Sequence, residues 1–302
     1  MKNSMLKSLL APIYYLFVDR YTYDDNTSNF KKFIYTTRFR FAARKIFLTD
    51  NEKRIAMLKD THKGERCFII GNGPSLNLLD LPLLKDEYTF GVNAIYLNYE
   101  KMQFYPTYYV LEDNLVGEDR CDEINAYKGS KLKLIGTYFR HIIKQDDKTL
   151  YINIRRNYTE TKKFPRFSYD AVRYLGVGGS VTYVCLQLAY YMGFKEVYMI
   201  GFDHNYVVPK SAVISNHSEA GFDILSTEDD PNHFAPSYFG KGYRWHDPNV
   251  KRMEVGFMKA KECFEKAGRK VYNATKGGHL EVFERKDFES LFPEQTAVNT
   301  KD

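Results

Sequence analysis

The chain has 302 residues, is 44% hydrophobic and carries a formal net charge of +6, enough apolar material for a sizeable core in one large domain or one domain with extensions. The charge is uneven: residues 1–66 hold 14 Lys or Arg against 7 Asp or Glu, and the remainder sums to −1. A basic nucleic-acid groove across the main body is therefore not expected, and the four cysteines (Cys67, Cys121, Cys185, Cys263) are too scattered for a zinc or redox motif.

Residues 1–62 read as a basic, amphipathic helical extension. MLKSLLAPIYYLFVDRY is apolar and aromatic, and FKKFIYTTRFRFAARKIF mixes Phe and Ile with Lys and Arg. The uninterrupted apolar run Leu9–Val18 is ten residues, where about 20 are needed to cross a bilayer. Two readings stand: a helix lying on the anionic inner membrane surface, or a helix packed on the main domain or on another subunit. The start shows no signal-peptide pattern, and a cytoplasmic location, peripheral on the inner membrane under the first reading, is expected.

From Cys67 onward, short apolar runs alternate with amphipathic stretches. CFIIG, YTFGVN, TYYVLED and LKLIGTY read as successive strands, TLYINI as a further one near an edge, VTYVCLQLAYYMGF as a helix and KEVYMIGFD as a strand ending in glycine and aspartate. VKRMEVGFMKAKECFEKAGRKVYNAT reads as a long helix, a stop at Gly268 and a last strand. The pattern predicts an α/β, Rossmann-like parallel sheet with helices on both faces over 63–292, followed by a tail at 293–302. Residues 205–247 have few helix or strand signals and follow a strand directly, so they predict a lid over the carboxyl ends of the strands, where open α/β sheets bind ligands.

In Gly71-Asn72-Gly73-Pro74-Ser75, glycines permit close backbone approach, and a following helix would offer N–H groups to a phosphate, with Ser75 as its cap. The turn is neither GxGxxG nor a P-loop, and a plain strand-to-helix turn is the alternative. Asn93 ends the next strand and pairs with Asn72 as a nucleotide-reading couple. Glu112 and Asp113 end the third strand, suited to a divalent metal, a sugar hydroxyl or a helix cap. His204 and His233 are single histidines of the kind that is most often structural. His246 closes the lid and is placed to take a proton from an attacking hydroxyl. Tyr238, Tyr243, Arg244 and the single tryptophan, Trp245, lie beside it, suited to phosphate and base contacts or to packing the lid.

With IIGNGPSL, GFKEVYMIGFD, and YFG…His246 followed by a helix and KVYNAT in place, the chain resembles the bacterial sialyltransferases of the Campylobacter type and related proteins of surface-polysaccharide clusters, over about Cys67 to Thr275. The resemblance implies a GT-A-like, single Rossmann-type domain. It implies inverting transfer from a CMP-activated nonulosonic acid to a saccharide or lipid-linked acceptor, with no metal or other cofactor required. On that pattern Asn72 and Asn93 contact the CMP moiety, His246 is the general base, and Tyr206 lies near a tyrosine that supports the departing phosphate, with Arg244 assisting. Gly71, Gly73, Ser75, Asp113, Gly179, Ser180, Asp203 and Tyr238 complete the expected binding set. The chain departs from the pattern at Gly178-Gly179-Ser180, where the family has an arginine, and at Leu111-Glu112-Asp113, where it has an asparagine. GVGGS would then supply a second anion cradle at a helix N-terminus. The same framework resembles the hydroxymethylpterin pyrophosphokinase MptE-like proteins, which would imply Mg²⁺ held by Glu112, Asp113 and Asp203. A catalytically silent nucleotide-binding subunit is a third reading, and homo-oligomerisation is left open.

Overall fold

The computed structural model describes residues 14, 16–17, 23–24, 26–156, 164–218 and 221–293. Most of the apolar run at 9–18, and the tail from 294, lie outside the described residues. Eight strands form one wholly parallel sheet: β1 Arg66–Ile70, β2 Thr89–Val92, β3 Tyr108–Leu111, β4 Leu132–Gly136, β5 Thr149–Ile152, β6 Glu196–Ile200, β7 Lys270–Asn273 and β8 Glu284–Arg285. Their spatial order is β8-β7-β6-β1-β2-β3-β4-β5. The chain winds from β1 out to the edge strand β5, then returns to lay β6 on the other flank of β1. That reversal puts the topological switch point between the carboxyl ends of β1 and β6.

The strands form because side chains alternate between two apolar cores. Cys67, Ile69, Phe90, Val92 and Val110 enter one, and Phe68, Ile70, Tyr109, Leu111 and Ile200 the other. Five of the helices matter below: α1 Asn29–Ala43, α2 Asp50–Ala56, α3 Asn114–Asp119, α4 Val181–Met192 and α5 Val250–Lys266. All of α4 except Tyr190 is buried, which explains its nearly unbroken apolar sequence, and Gly193 at φ 95° ends it. Three-ten turns at Pro74–Leu78, Leu81–Leu84 and Ile95–Asn98 contribute Leu76, Leu81, Leu84 and Ile95 to the second core.

The insert is more regular than its sequence suggests. Val213–Ser218, Gly221–Leu225 and Arg244–His246 make a three-stranded antiparallel sheet with a register shift between Ser215 and His217. Ile224, Phe234, Tyr238, Phe239 and Trp245 plug the lid into the second core. Its turn is knotted by Asp230, whose carboxylate accepts from Asn232 N at 2.8 Å and Phe239 N at 2.9 Å and meets His233 Nδ1 at 2.7 Å. Hydrogen bonds of this kind leave no hydrophobic period to read, so the reading of few strand signals missed the hairpin.

At the N-terminal end, α1 packs through Ile34, Tyr35 and Phe39 against Tyr23 and Tyr174. A fully buried Arg38–Glu52 ion pair ties it to α2.

Candidate functional site

The glycine turn after β1 brings two strand ends into close contact. A Cβ on Gly71 would meet the Gly201 carbonyl oxygen at 2.5 Å, and one on Gly73 would meet Asp203 Oδ2 at 1.9 Å. Gly73 N–H donates to Gly201 O at 2.9 Å, and the Asp203 carboxylate accepts from Ser75 Oγ at 2.7 Å and from Ser75 N at 3.2 Å. The glycines therefore bring the ends of β1 and β6 together, and the chain's own carboxylate occupies the start of the following turn. That turn is a five-residue 3-10 helix with Gly73 at its cap, so the expected Ser75 cap does not form there.

A cavity of about 180 Å³ opens above this junction. It is lined by most of the expected residues: Gly71, Asn72, Gly73, Asn93, Asp113, Gly179, Ser180, Asp203, Tyr206, Tyr238 and His246. Ser75 and Arg244 are not among the lining. Arg244 Nε donates to Asp119 Oδ1 at 2.9 Å and its Nη2 to Glu118 Oε2 at 3.0 Å, so it fastens the last lid strand to α3. The cations that do line the cavity are Arg156 and Arg252. The sequence reading passed over both: one ends the INIRR run, the other lies in the first turn of the long helix.

Asn72 Nδ2 donates to Val92 O at 3.3 Å and to Tyr238 Oη at 2.8 Å. A carbonyl accepting from that nitrogen fixes the amide orientation, and it leaves Asn72 Oδ1 buried without a protein partner. Asn93 Oδ1 is likewise buried and unpartnered, on a residue held at φ 53°, a left-handed conformation that asparagine tolerates better than most. Two buried acceptors of this kind suit a ligand that brings N–H or O–H donors, such as a nucleobase amino group or a sugar hydroxyl. Tyr238 is itself buried, also accepts from Ala94 N at 3.3 Å, and stacks on His233 with centroids 4.2 Å apart. It links the lid to the ends of β1 and β2, with burial pushing its hydroxyl well up so that it stays neutral.

His246 is gripped from two sides. On the lid, Asp223 Oδ1 lies 2.9 Å from Nδ1; on the body, Asn114 Oδ1 lies 3.2 Å and Asp113 Oδ1 3.7 Å from Nε2. Asn114 Oδ1 also accepts from Arg156 Nη2 at 3.0 Å. Asp223 and Asn114 were not among the expected residues. Asp223 sits in the polar insert with nothing nearby in sequence to mark it, whereas Asn114 follows Glu112-Asp113 and was within reach of a reading that looked for carboxylates only. Tyr206 is on the rim, 36% exposed, with its hydroxyl available as a hydrogen-bond donor to a ligand in the cavity. His204, 4% exposed at its side chain, is held by burial toward its neutral form beside Glu254.

The carboxylates proposed for Mg²⁺ do not fit that task. Asp203 is bound to Ser75, and Asp113 caps α3 by accepting from Leu115 N at 2.9 Å and Val116 N at 3.2 Å. Glu112 is buried, and desolvation raises its carboxyl above the usual range against the pull of Arg156. Among the described residues no group of three or more His, Cys, Asp or Glu side chains is placed to hold a metal ion. On the remaining wall, Ser180 caps the twelve-residue α4, accepting from Thr182 N at 3.2 Å. Gly179 at φ +88° lets the first turn of α5 approach, its absent Cβ lying 3.1 Å from Met253 N.

A family model described as 6-hydroxymethylpterin diphosphokinase MptE-like matches residues 45–208. No curated protein matches. Among solved structures, the MAf glycosyltransferase from Magnetospirillum magneticum AMB-1 is similar at 14% identity with a TM-score of 0.46, over 91% of this chain and 45% of that one. The chain thus spans less than half the length of that protein.

Proposed function

The chain belongs to the MptE-like family, and from that premise we propose that it is a glycosyltransferase acting on a nucleotide-activated sugar, with His246 as the base that activates the acceptor hydroxyl. The observation that carries the reading is the lid-borne Asp223–His246 pair, poised over the switch-point cavity beside two unpartnered amide oxygens. In this reading the acceptor oxygen attacks the anomeric carbon, the bond to the donor phosphate breaks, and the hydroxyl proton passes to the lone pair of His246 Nε2, whose new N–H then faces the acceptor Asn114 Oδ1. A single displacement of this kind inverts the anomeric centre. Arg156, Arg252 and the N-terminus of α4 offset the charge that develops on the leaving phosphate, with Tyr206 donating a hydrogen bond from the rim.

The resemblance to sialyltransferases favours a CMP-activated nonulosonic acid as donor and a saccharide or lipid-linked acceptor. The unpartnered Asn72 and Asn93 oxygens support a donor-bearing base or ribose in this cavity. Under this reading no metal is required.

A second reading, diphosphate transfer from a nucleoside triphosphate, is favoured by the description of the matching family model. The matched segment ends at residue 208, before Asp223 and His246, so the pair that carries the first reading lies outside it, while Asn72 and Asn93 lie within it. The poor fit of Glu112, Asp113 and Asp203 to a metal weighs against the second.

Calorimetric titration with CMP, CTP, ATP and GTP, each with and without Mg²⁺, decides between them. Metal-independent CMP binding supports glycosyl transfer and directs a screen of CMP-sugars. Binding of ATP only with Mg²⁺, and none of CMP, would overturn it in favour of diphosphate transfer. Nucleotide binding and fold retained in His246→Ala, with turnover lost, would exclude a silent binding subunit.

A further inference from the structure

Helix α1 has two faces of opposite fate. Ile34, Tyr35, Phe39 and Ala42 are buried against the body, and Arg38 is sealed onto Glu52. This is the packed helix that the sequence allowed as one of its two readings. The outward face is not polar, however. Phe30 is 63% and Phe33 69% exposed, and just beyond the helix Phe47 is 62% exposed next to exposed Ile46. Phe17, itself half exposed, meets Phe47 edge-on with ring centroids 5.3 Å apart.

Cations are interleaved with these rings. Positions 30, 33, 37, 40 and 44 run along one helical stripe, which begins with Phe30 and Phe33 and ends with Arg40 and Arg44. Exposed Lys31 and Lys45 lie off the stripe near its two ends, and residues 26–49 contain no Asp or Glu. Isolated exposed apolar residues are ordinary, but several aromatics grouped on one basic face mark an interaction surface.

We propose that this face docks on an anionic lipid bilayer, with Phe30, Phe33 and Phe47 entering the interfacial region while Arg40, Arg44 and the lysines meet the headgroup phosphates. The charge pattern chooses the occupant: a segment free of acids beside exposed rings complements a uniformly negative, apolar-backed surface. Arginine and lysine stems reach past buried rings to keep their charges at the headgroups. No described helix is long and apolar enough to cross a membrane, so the contact is one of lying on the surface. The proposal is independent of the chemistry assigned to the cavity.

The test is co-sedimentation of the full chain with vesicles of phosphatidylcholine alone and of equal parts phosphatidylcholine and phosphatidylglycerol, at low and high salt. Binding to the anionic vesicles, weakened by salt, is expected. The double variant Phe30→Ser/Phe33→Ser and, separately, Lys31→Glu/Arg40→Glu should each partition at least about tenfold more weakly. Both alter only exposed side chains, and an unchanged thermal transition verifies their fold. The proposal is overturned if neither vesicle pulls the protein down, if both variants bind as the parent does, or if sedimentation velocity shows a dimer that the phenylalanine variant dissociates.

Discussion

Asp223 and His246 sit opposite each other in register on neighbouring strands of the lid, and Asp223 Oδ1 reaches His246 Nδ1 at 2.9 Å. The pair is built within the lid, so the lid's own sheet orients the imidazole, with Nε2 facing the body. A carboxylate on Nδ1 fixes the ring's tautomer and stabilises the charge it gains on accepting a proton. Asp223→Asn should therefore lower kcat by about 10–100-fold while leaving KM nearly unchanged, and Asp223→Glu should restore part of the loss. Steady-state kinetics on the donor and acceptor found by the nucleotide titration would check it; equal kcat in all three proteins would reduce the pair to a cross-strand contact.

Asn93 combines a conformational and a chemical role that two substitutions can separate. Its backbone is left-handed at φ 53°, and its buried Oδ1 has no protein partner. Asn93→Gly relieves the backbone and removes the amide, so the protein should fold with undiminished stability but bind nucleotide about tenfold more weakly. Asn93→Ala removes the same amide and adds backbone strain of about 1 kcal/mol. Calorimetric affinity and thermal melts distinguish them: if Asn93→Gly binds as tightly as the parent, the amide oxygen does not meet the ligand.

Much of this was legible in the sequence, and the gaps have a common physical cause. Strands buried on both faces show as continuous apolar runs ending in glycine, so the central strands could be read directly, whereas the strand order that sets the switch point comes from the tertiary structure. The edge strand Glu284–Arg285 is two exposed charged residues and gives no such signal. The cavity lining was readable where residues sit at strand ends, as with Asn72, Asn93 and Asp203. It failed for Arg244 because its partners Glu118 and Asp119 lie about 125 positions away in the chain. Arg244 and His246 share one face of a short strand, and only the tertiary arrangement decides that the first meets the acids of α3 and the second the cavity. The expected Ser75 cap failed for the same reason: Ser75 Oγ is taken up by the Asp203 carboxylate, 128 residues downstream.

That contact makes the turn testable. Gly73→Ala would place a Cβ 1.9 Å from Asp203 Oδ2 and 2.8 Å from the Gly201 carbonyl oxygen, and neither the backbone nor the bonded carboxylate can give way cheaply. A loss of about 2 kcal/mol or more in chemical denaturation is expected. Asp203→Asn removes the charge but keeps the side chain's size, so Gly73→Ala should be as costly on that background if the clash is steric. A Gly73→Ala protein of parental stability would show that the ends of β1 and β6 are not so closely apposed.

Glu112 gives a prediction in pH. Burial is the largest influence on its carboxyl and raises it above the ordinary range, and the residue is 8% exposed. Between its unfolded value, about 4.3, and its higher folded value, the native state binds more protons than the unfolded one. Stability from this group is thus fully present below the unfolded value and declines as pH rises through that window. Glu112→Gln retains the shape and cannot ionise, so it should melt at a higher temperature than the parent at neutral pH. The gap should close as pH falls toward 4, where both side chains are neutral. Melting curves of the two proteins between pH 4 and 8 provide the measurement. A gap that is constant across the range, or that widens on acidification, would mean that Arg156 and His246 compensate the buried charge and that Glu112 is held ionised as a working part of the cavity.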